Sequence, residues 1–144
     1  MNLNGGSIVN QAGATYDFQS GVIDTNSGTP TFVNEGTFTK STSDSAIIDV
    51  FFDNRATFSV DGDLNMTRGA VHTGGPIAIS SGSELEFNSN LEVRADLIVT
   101  GGGLFDVNAT LFVPTGFDID ADFCLLYTSP SPRDATLSRM PSSA

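Results

Sequence analysis

Apolar and polar residues alternate along short segments of this chain, and the alternation predicts β-strands. At Phe58 and Val60, and again at Leu64 and Met66, every second residue is apolar. Successive side chains of a strand point to opposite faces, so this period of two buries one face of each strand. Gly, Asn, Asp and Ser separate the segments, and helical spacing is nowhere sustained. The pattern therefore predicts an all-β chain of short strands.

A motif recurs at a spacing of about 20 residues, which indicates a structural repeat. The segment FVNEGTFT returns as FDNRATFS, and a weaker, longer copy runs from Val9 to Phe18. The repeated residues are Phe32, Asn34, Thr37 and Phe38 in one copy and Phe52, Asn54, Thr57 and Phe58 in the next. A second series with the same spacing consists of Gly62, Gly82 and Gly102.

Three short strands in each repeat fit one turn of a coil, and stacked coils form a right-handed parallel β-helix. About six coils fit the repeated region, and equivalent residues of neighbouring coils lie roughly 4.8 Å apart. We therefore expect Phe32 to stack on Phe52, and Phe38 on Phe58, inside the core. The amides of the equivalent asparagines are expected to pair as a ladder.

An antiparallel β-sandwich or jelly roll is the alternative fold. The dipeptide Asp61-Gly62 lies between two apolar runs, and Asp-Gly is a strong signal for a two-residue hairpin. The equivalent pairs at positions 81–82 and 101–102 are less typical of hairpins. Hairpin folds also have no reason to keep identical residues in register over a whole period. The β-helix is therefore the preferred prediction.

The segment from Cys124 to Ala144 resembles a translated sequencing adapter. Residues 124–134, CLLYTSPSPRD, back-translate into adapter sequence, and residues 138–144, SRMPSSA, into the next adapter block. We therefore interpret residues 1–123 as a β-helix segment truncated at its C-terminal end, and residues 124–144 as a non-native tail. Met1 can equally be interpreted as an internal methionine of a longer protein. Because the single cysteine belongs to the tail, no disulfide is expected.

Charge and hydropathy narrow the function classes. The formal net charge of −11 disfavours nucleic-acid binding, because few cations are present to neutralise phosphates. No run of about 18 apolar residues is present, so no membrane span is expected. The start MNLNGGSIVN lacks the basic and apolar regions of a signal peptide.

The motif F-x-N-x-G-T-F, followed by x-G-x-L-x-hydrophobic, resembles the repeats of secreted bacterial surface proteins. Autotransporter passengers and filamentous-haemagglutinin-like adhesins carry β-helix repeats of this kind. The resemblance covers about residues 6–123. It implies export, an extracellular or cell-surface location and a structural or adhesive role. Its implied partners are neighbouring repeats of the same chain, surface glycans and host or cell-surface proteins, and it transfers no catalytic residue.

An enzyme is the alternative from another class, because parallel β-helices also include polysaccharide lyases and hydrolases. The candidate bases are Lys40, Arg55, Arg68 and Arg94, and the candidate acids are Asp49, Asp53, Asp61 and Asp63. These residues form no recognisable constellation in the sequence. The pair Glu35 and Arg55, one period apart, is more simply interpreted as an ion pair between coils.

Cofactor signals are weak. The aspartates Asp118, Asp120 and Asp122 alternate with apolar residues, which suggests the solvated face of a strand more than a calcium loop. The glycines at 101–103 lack the following helix and lysine of a phosphate loop and predict a turn. His72 is the only histidine, has no second ligand for a zinc site, and is predicted to lie at the surface beside a turn. No cofactor is predicted, and calcium is the one weak candidate.

Overall fold

The structure, a computed structural model, describes residues 1–121 and 125–127. Within these ranges the chain forms eighteen strands in three sheets and no helix. The first sheet contains β1 (Ile8–Asn10), β4 (Thr31–Asn34), β7 (Phe51–Asn54), β10 (Ala70–His72), β13 (Leu91–Val93) and β16 (Leu111–Phe112). The second contains β2 (Thr15–Asp17), β5 (Thr37–Lys40), β8 (Phe58–Val60), β11 (Ile77–Ile79), β14 (Leu97–Thr100) and β17 (Ile119–Ala121). The third contains β3 (Gly21–Ile23), β6 (Ala46–Ile48), β9 (Asp63–Met66), β12 (Glu84–Phe87), β15 (Leu104–Val107) and β18 (Leu125–Tyr127).

Three consecutive strands, one in each sheet, make one coil of a parallel β-helix. Each strand pairs in parallel with the strand three places later in the chain, as β4 does with β7 and β5 with β8. The described residues therefore build six coils, which confirms the predicted fold class. No helix long and apolar enough to cross a membrane is present in this part of the chain.

The coils differ in length, although their mean is close to the period in the sequence. In the first sheet the longest coil separates Ile8 from its partner Phe32, and the shortest separates Phe52 from its partner Ala70. The full series of level residues in this sheet is Ile8, Phe32, Phe52, Ala70, Leu91 and Leu111. The turns between strands absorb the differences, because the strands themselves keep a parallel register. A constant period therefore identifies equivalent residues only for some pairs of coils.

Alternation of inward and outward side chains holds along the strands, as predicted. Phe32, Phe38, Phe52 and Phe58 are all at most 2% exposed. Phe32 pairs with Phe52 in register, and their rings are stacked at 5.3 Å. Phe38 and Phe58 are also in register, but their rings meet edge to face, at 5.1 Å and 86°. The predicted inward pairs are confirmed, and only one of them is a parallel stack.

The predicted alternative of a hairpin at Asp61-Gly62 is wrong. Strands β8 and β9 on either side of this dipeptide belong to different sheets, and each pairs in parallel with strands of other coils. Gly62 instead turns the chain from the second sheet to the third with φ of +113°. A Cβ atom there would lie 2.0 Å from the carbonyl oxygen of Thr42, so only glycine fits this corner.

The glycine series of the sequence is shifted by one position in the structure. Because Asp63 pairs with Glu84, Gly62 is level with Ser83, whose hydroxyl oxygen accepts a hydrogen bond from the Gly62 N–H at 2.7 Å. In the next coil Glu84 pairs with Leu104, so Gly82 and Gly102 are equivalent. The three glycines thus all lie at the corner before a third-sheet strand, but not at one repeated position.

The adapter-like segment enters the described structure only through β18. This strand pairs with β15, with Phe105 opposite Leu125 and Val107 opposite Tyr127. This short strand extends the last coil of the third sheet. Residues 122–124 and 128–144 lie outside the described residues.

Candidate functional site: the polar ladder and the outer faces

An amide ladder runs through the interior along the end of the first sheet. The Nδ2 atom of Asn10 donates to Oδ1 of Asn34, and Nδ2 of Asn34 donates to Oδ1 of Asn54, both at 2.8 Å. Each amide also donates to a main-chain carbonyl of the next coil, that of Thr37 or Thr57. The predicted asparagine ladder is confirmed, and it has one direction, with every N–H pointing toward the later coil.

His72 continues this ladder, so its predicted surface position is wrong. Its side chain is 1% exposed, and its Nδ1 lies 3.2 Å from Nδ2 of Asn54. Because the Asn54 amide is the donor, Nδ1 must be the acceptor and the ring is neutral with its proton on Nε2. Burial lowers the pKa of His72, and an interaction with the main chain of Asp96 partly offsets that effect. The Nε2 atom is buried without a hydrogen bond of normal geometry.

Lys40, a candidate base, is buried in the core rather than at a substrate-accessible surface. It is 0% exposed and occupies the last position of β5, where the register places it opposite Val60. Its Nζ donates to the carbonyl and the hydroxyl of Thr42. These bonds satisfy the ammonium group at the same corner that Gly62 closes. The lysine therefore supports the corner between the second and third sheets.

The remaining candidate bases are arginines in surface ion pairs. Arg55 bonds to Glu35 at 2.9 Å and to Asp53 at 2.7 Å, which confirms the predicted pair between coils. Hydrogen bonding to Asp53 and its charge raise the pKa of Arg55. Since these guanidinium groups stay protonated and are already paired, they are poor proton acceptors. The other two pairs are Arg68 with Asp49 at 3.3 Å and Arg94 with Glu92 at 2.8 Å.

The four candidate acids lie in three places, with Asp61 and Asp63 together at one corner. Asp49 follows β6 at the end of the third sheet, where a hydrogen bond from the Thr67 hydroxyl lowers its pKa. Asp53 is in β7 of the first sheet, Asp61 is in the corner between the second and third sheets, and Asp63 begins β9. The structure therefore pairs two of the acids with candidate bases, Asp53 with Arg55 and Asp49 with Arg68, but does not gather the four acids in one place.

A polar network on the third sheet was missed by the sequence analysis. The amides of Asn65 and Asn108 donate to the two carboxylate oxygens of Glu86, at 2.6 and 2.8 Å. The amide of Asn88 donates to Oδ1 of Asn65 at 3.1 Å, and Asn108 also donates to Oδ1 of Asn88 at 3.2 Å. These residues cross-link three successive coils. The signal lay in Asn65 and Glu86 within DLNM and ELEF and in Asn88 and Asn108 just after β12 and β15. The link from Asn65 to Glu86 appears only in the true register, where these two residues are level.

The same sheet concentrates negative charge. We define the acidic face as the outward residues Asp63, Glu84, Glu86 and Asp106 of β9, β12 and β15. Burial raises the pKa of Glu84 first, and repulsion from the other three carboxylates adds to it. Among the described residues no group of three or more His, Cys, Asp or Glu side chains has the arrangement of a metal site. This face can accept hydrogen bonds and attract cationic groups.

The weak calcium candidates lie at β17, the last strand of the second sheet. Asp118 and Asp120 are exposed on either side of buried Ile119, as the alternation predicted. The main-chain N–H of Asp118 donates to Oδ1 of Asp96 at 3.2 Å. The third candidate, Asp122, lies outside the described residues.

Comparisons with protein-family models, with curated proteins and with solved structures gave no match.

Proposed function

We propose that this chain is a structural or adhesive segment of an exported bacterial cell-surface repeat protein and that it is not catalytic. The carrying observation is the β-helix itself, whose turns between strands are short and whose outer faces are continuous from coil to coil. Such a solenoid is a rigid spacer with large flat faces. Export and an extracellular location follow from the resemblance of its repeats to those of bacterial surface proteins.

The acidic face and its adjoining amides are the proposed contact surface. Asparagine amides and carboxylates bind hydroxyl groups well, because each offers several donors or acceptors. Surface glycans and host or cell-surface proteins are therefore the proposed ligands, alongside neighbouring repeats of the same chain. The intramolecular bonds between Glu86 and the amides of Asn65 and Asn108 hold these groups in place before a ligand arrives.

The test is binding of the purified chain to a glycan array and to cultured host cells. Replacing Glu86 and Asn88 with Ala should abolish binding if the third-sheet surface is the contact. Replacing Thr39 and Ser59 on the outward side of the second sheet provides the matched control, because their side chains also bond across coils. Binding that survives the first pair of changes but not the second would contradict the proposed surface.

A β-helical polysaccharide lyase or hydrolase remains the alternative function. The dispersed positions of Asp49, Asp53, Asp61 and Asp63, and the burial of Lys40, weigh against it. Incubation with polygalacturonate and alginate, followed by measurement of unsaturated products and of reducing ends, discriminates the two functions. Turnover that is lost on replacing any one of these four aspartates would favour the enzyme.

A further inference from the structure

The N-terminal end of the β-helix presents strand edges that are paired on one side only. Within residues 1–121 and 125–127, β1 pairs with β4 alone and β2 with β5 alone. The third sheet differs, because Asn2 bridges to Asp24 in parallel and Leu3 donates its N–H to the Asp24 carbonyl. Residues 1–3 therefore cover the third-sheet edge, while the outer edges of β1 and β2 pair with no strand of the described residues.

The polar ladder reaches this end with an acceptor that has no donor. In the second and third coils the ladder asparagine accepts a hydrogen bond at Oδ1 from the amide of the preceding coil, as Asn34 does from Asn10. Asn10 is only 5% exposed, yet no donor of the described residues reaches its Oδ1, because its two hydrogen bonds both use Nδ2. By the repeat of the ladder, this oxygen faces the position of a preceding coil. Asn10 Oδ1 is not itself fully buried, so it is accessible at the end surface, and a partner that covers it must supply an N–H.

Apolar side chains of the first coil lie at the same end of the β-helix. Ile8 and Tyr16 are partly buried and pack on the core from the first coil. The Tyr16 ring stacks on Phe38 at 5.8 Å and 16°, so the aromatic column of the interior continues to the end surface. Burial also raises the pKa of the Tyr16 hydroxyl. A ligand for this surface must therefore pair with two strand edges, cover Ile8 and the Tyr16 ring, and supply one amide donor.

We propose that the N-terminal end binds a β-helix coil that carries asparagine at the ladder position, as the F-x-N-x-G-T-F repeat does. This deepens the proposed role as a segment in a stack of repeats and depends on it. A second copy stacked head to tail fits less well. The ladder position passes from His72 to Val93, and one residue beyond the paired part of β16 the same register leads to Val113; valine has no side-chain N–H to donate.

The chain itself supplies the probe coil. Residues 31–40 form one strand of the first sheet and one of the second, and the turn at 41–45 leads into β6 of the third. Fusing a copy of residues 31–45 before Met1 should place its two strands on β1 and β2 and lead into the existing third-sheet strand. The copied Asn34 would then donate to Asn10 Oδ1. The matched control carries Asn34→Leu in the copy only, and a scrambled copy controls for length.

Hydrogen exchange of the β1 and β2 amides and the thermal midpoint measure the docking. The asparagine copy should slow exchange relative to the scrambled copy. With the leucine copy, exchange should be about five- to tenfold faster than with the asparagine copy, which is the effect of one net hydrogen bond. Equal protection by both copies would overturn the amide requirement and leave the proposed function standing. Protection by neither would overturn the docking surface and the role in a stack together. Self-association of the unmodified chain in sedimentation would contradict the choice of partner.

Discussion

Replacing Phe58 with Ala is the most direct perturbation of the repeated aromatic core. Phe58 is 1% exposed and contacts the rings of Phe38 at 5.1 Å and Phe52 at 5.4 Å. Truncation of a buried Phe to Ala costs about 3 to 5 kcal/mol, depending on how far the site collapses. Strand β8 is held on both sides, by β5 and β11, so little collapse is expected. We expect a loss in the upper half of that range, because each lost ring pair adds about 0.5 to 1.5 kcal/mol.

Equilibrium unfolding in denaturant measures this loss. Far-ultraviolet circular dichroism reports the strands. In a Tyr127→Phe background, tyrosine fluorescence comes from Tyr16 alone and reports the aromatic column, because Tyr16 stacks on Phe38. Coincident transitions by the two signals justify a single free energy of unfolding. The matched control is Phe51→Ala, since Phe51 lies on the outward side of β7 and is 43% exposed. Its loss should be about 1 kcal/mol, in proportion to the smaller apolar area that it buries.

Two results would refute the reasoning. A loss for Phe58→Ala below about 2 kcal/mol would show that the core relaxes around the missing ring. Equal losses for Phe58→Ala and Phe51→Ala would show that burial in the column does not determine the cost. In either case the aromatic stack would not be the main support of the second and third coils.

Three further predictions concern His72 in the ladder, Gly36 in a turn and calcium at Asp118. The free energy of unfolding should fall as the pH drops below about 6.5, the pKa of histidine in the unfolded chain. The lowered pKa of His72 means that the folded state does not bind the proton that the unfolded state binds. His72→Asn should therefore flatten the pH dependence of unfolding in this range. Gly36→Ala should cost about 1 to 3 kcal/mol, because its Cβ would lie 2.3 Å from the Ala14 carbonyl oxygen, whereas Gly6→Ala, with open space around it, should be neutral in thermal unfolding. Calcium should change the melting temperature little, and stabilisation at micromolar ion that Asp118→Asn removes would contradict this.

The sequence by itself determined the features that depend on local pattern. Alternation in FVNEGTFT and FDNRATFS placed Phe32, Phe38 and their equivalents in the core, because the side-chain period of a strand fixes which face each residue occupies. The exact repeat between these two copies also gave the asparagine ladder, since identical residues separated by one coil length must lie above each other. Export and adhesion stay predictions.

Only the tertiary structure decided which residues of unequal coils lie level. The coil from Phe52 to Ala70 is shorter than the sequence period, so His72 lies against Asn54 in the core, where a constant period does not place it. A slightly longer coil likewise brings Glu86 level with Asn65. Register between coils is set by parallel main-chain hydrogen bonds and by turn lengths. Those are contacts between residues far apart in the chain, and a repeat period gives only their average.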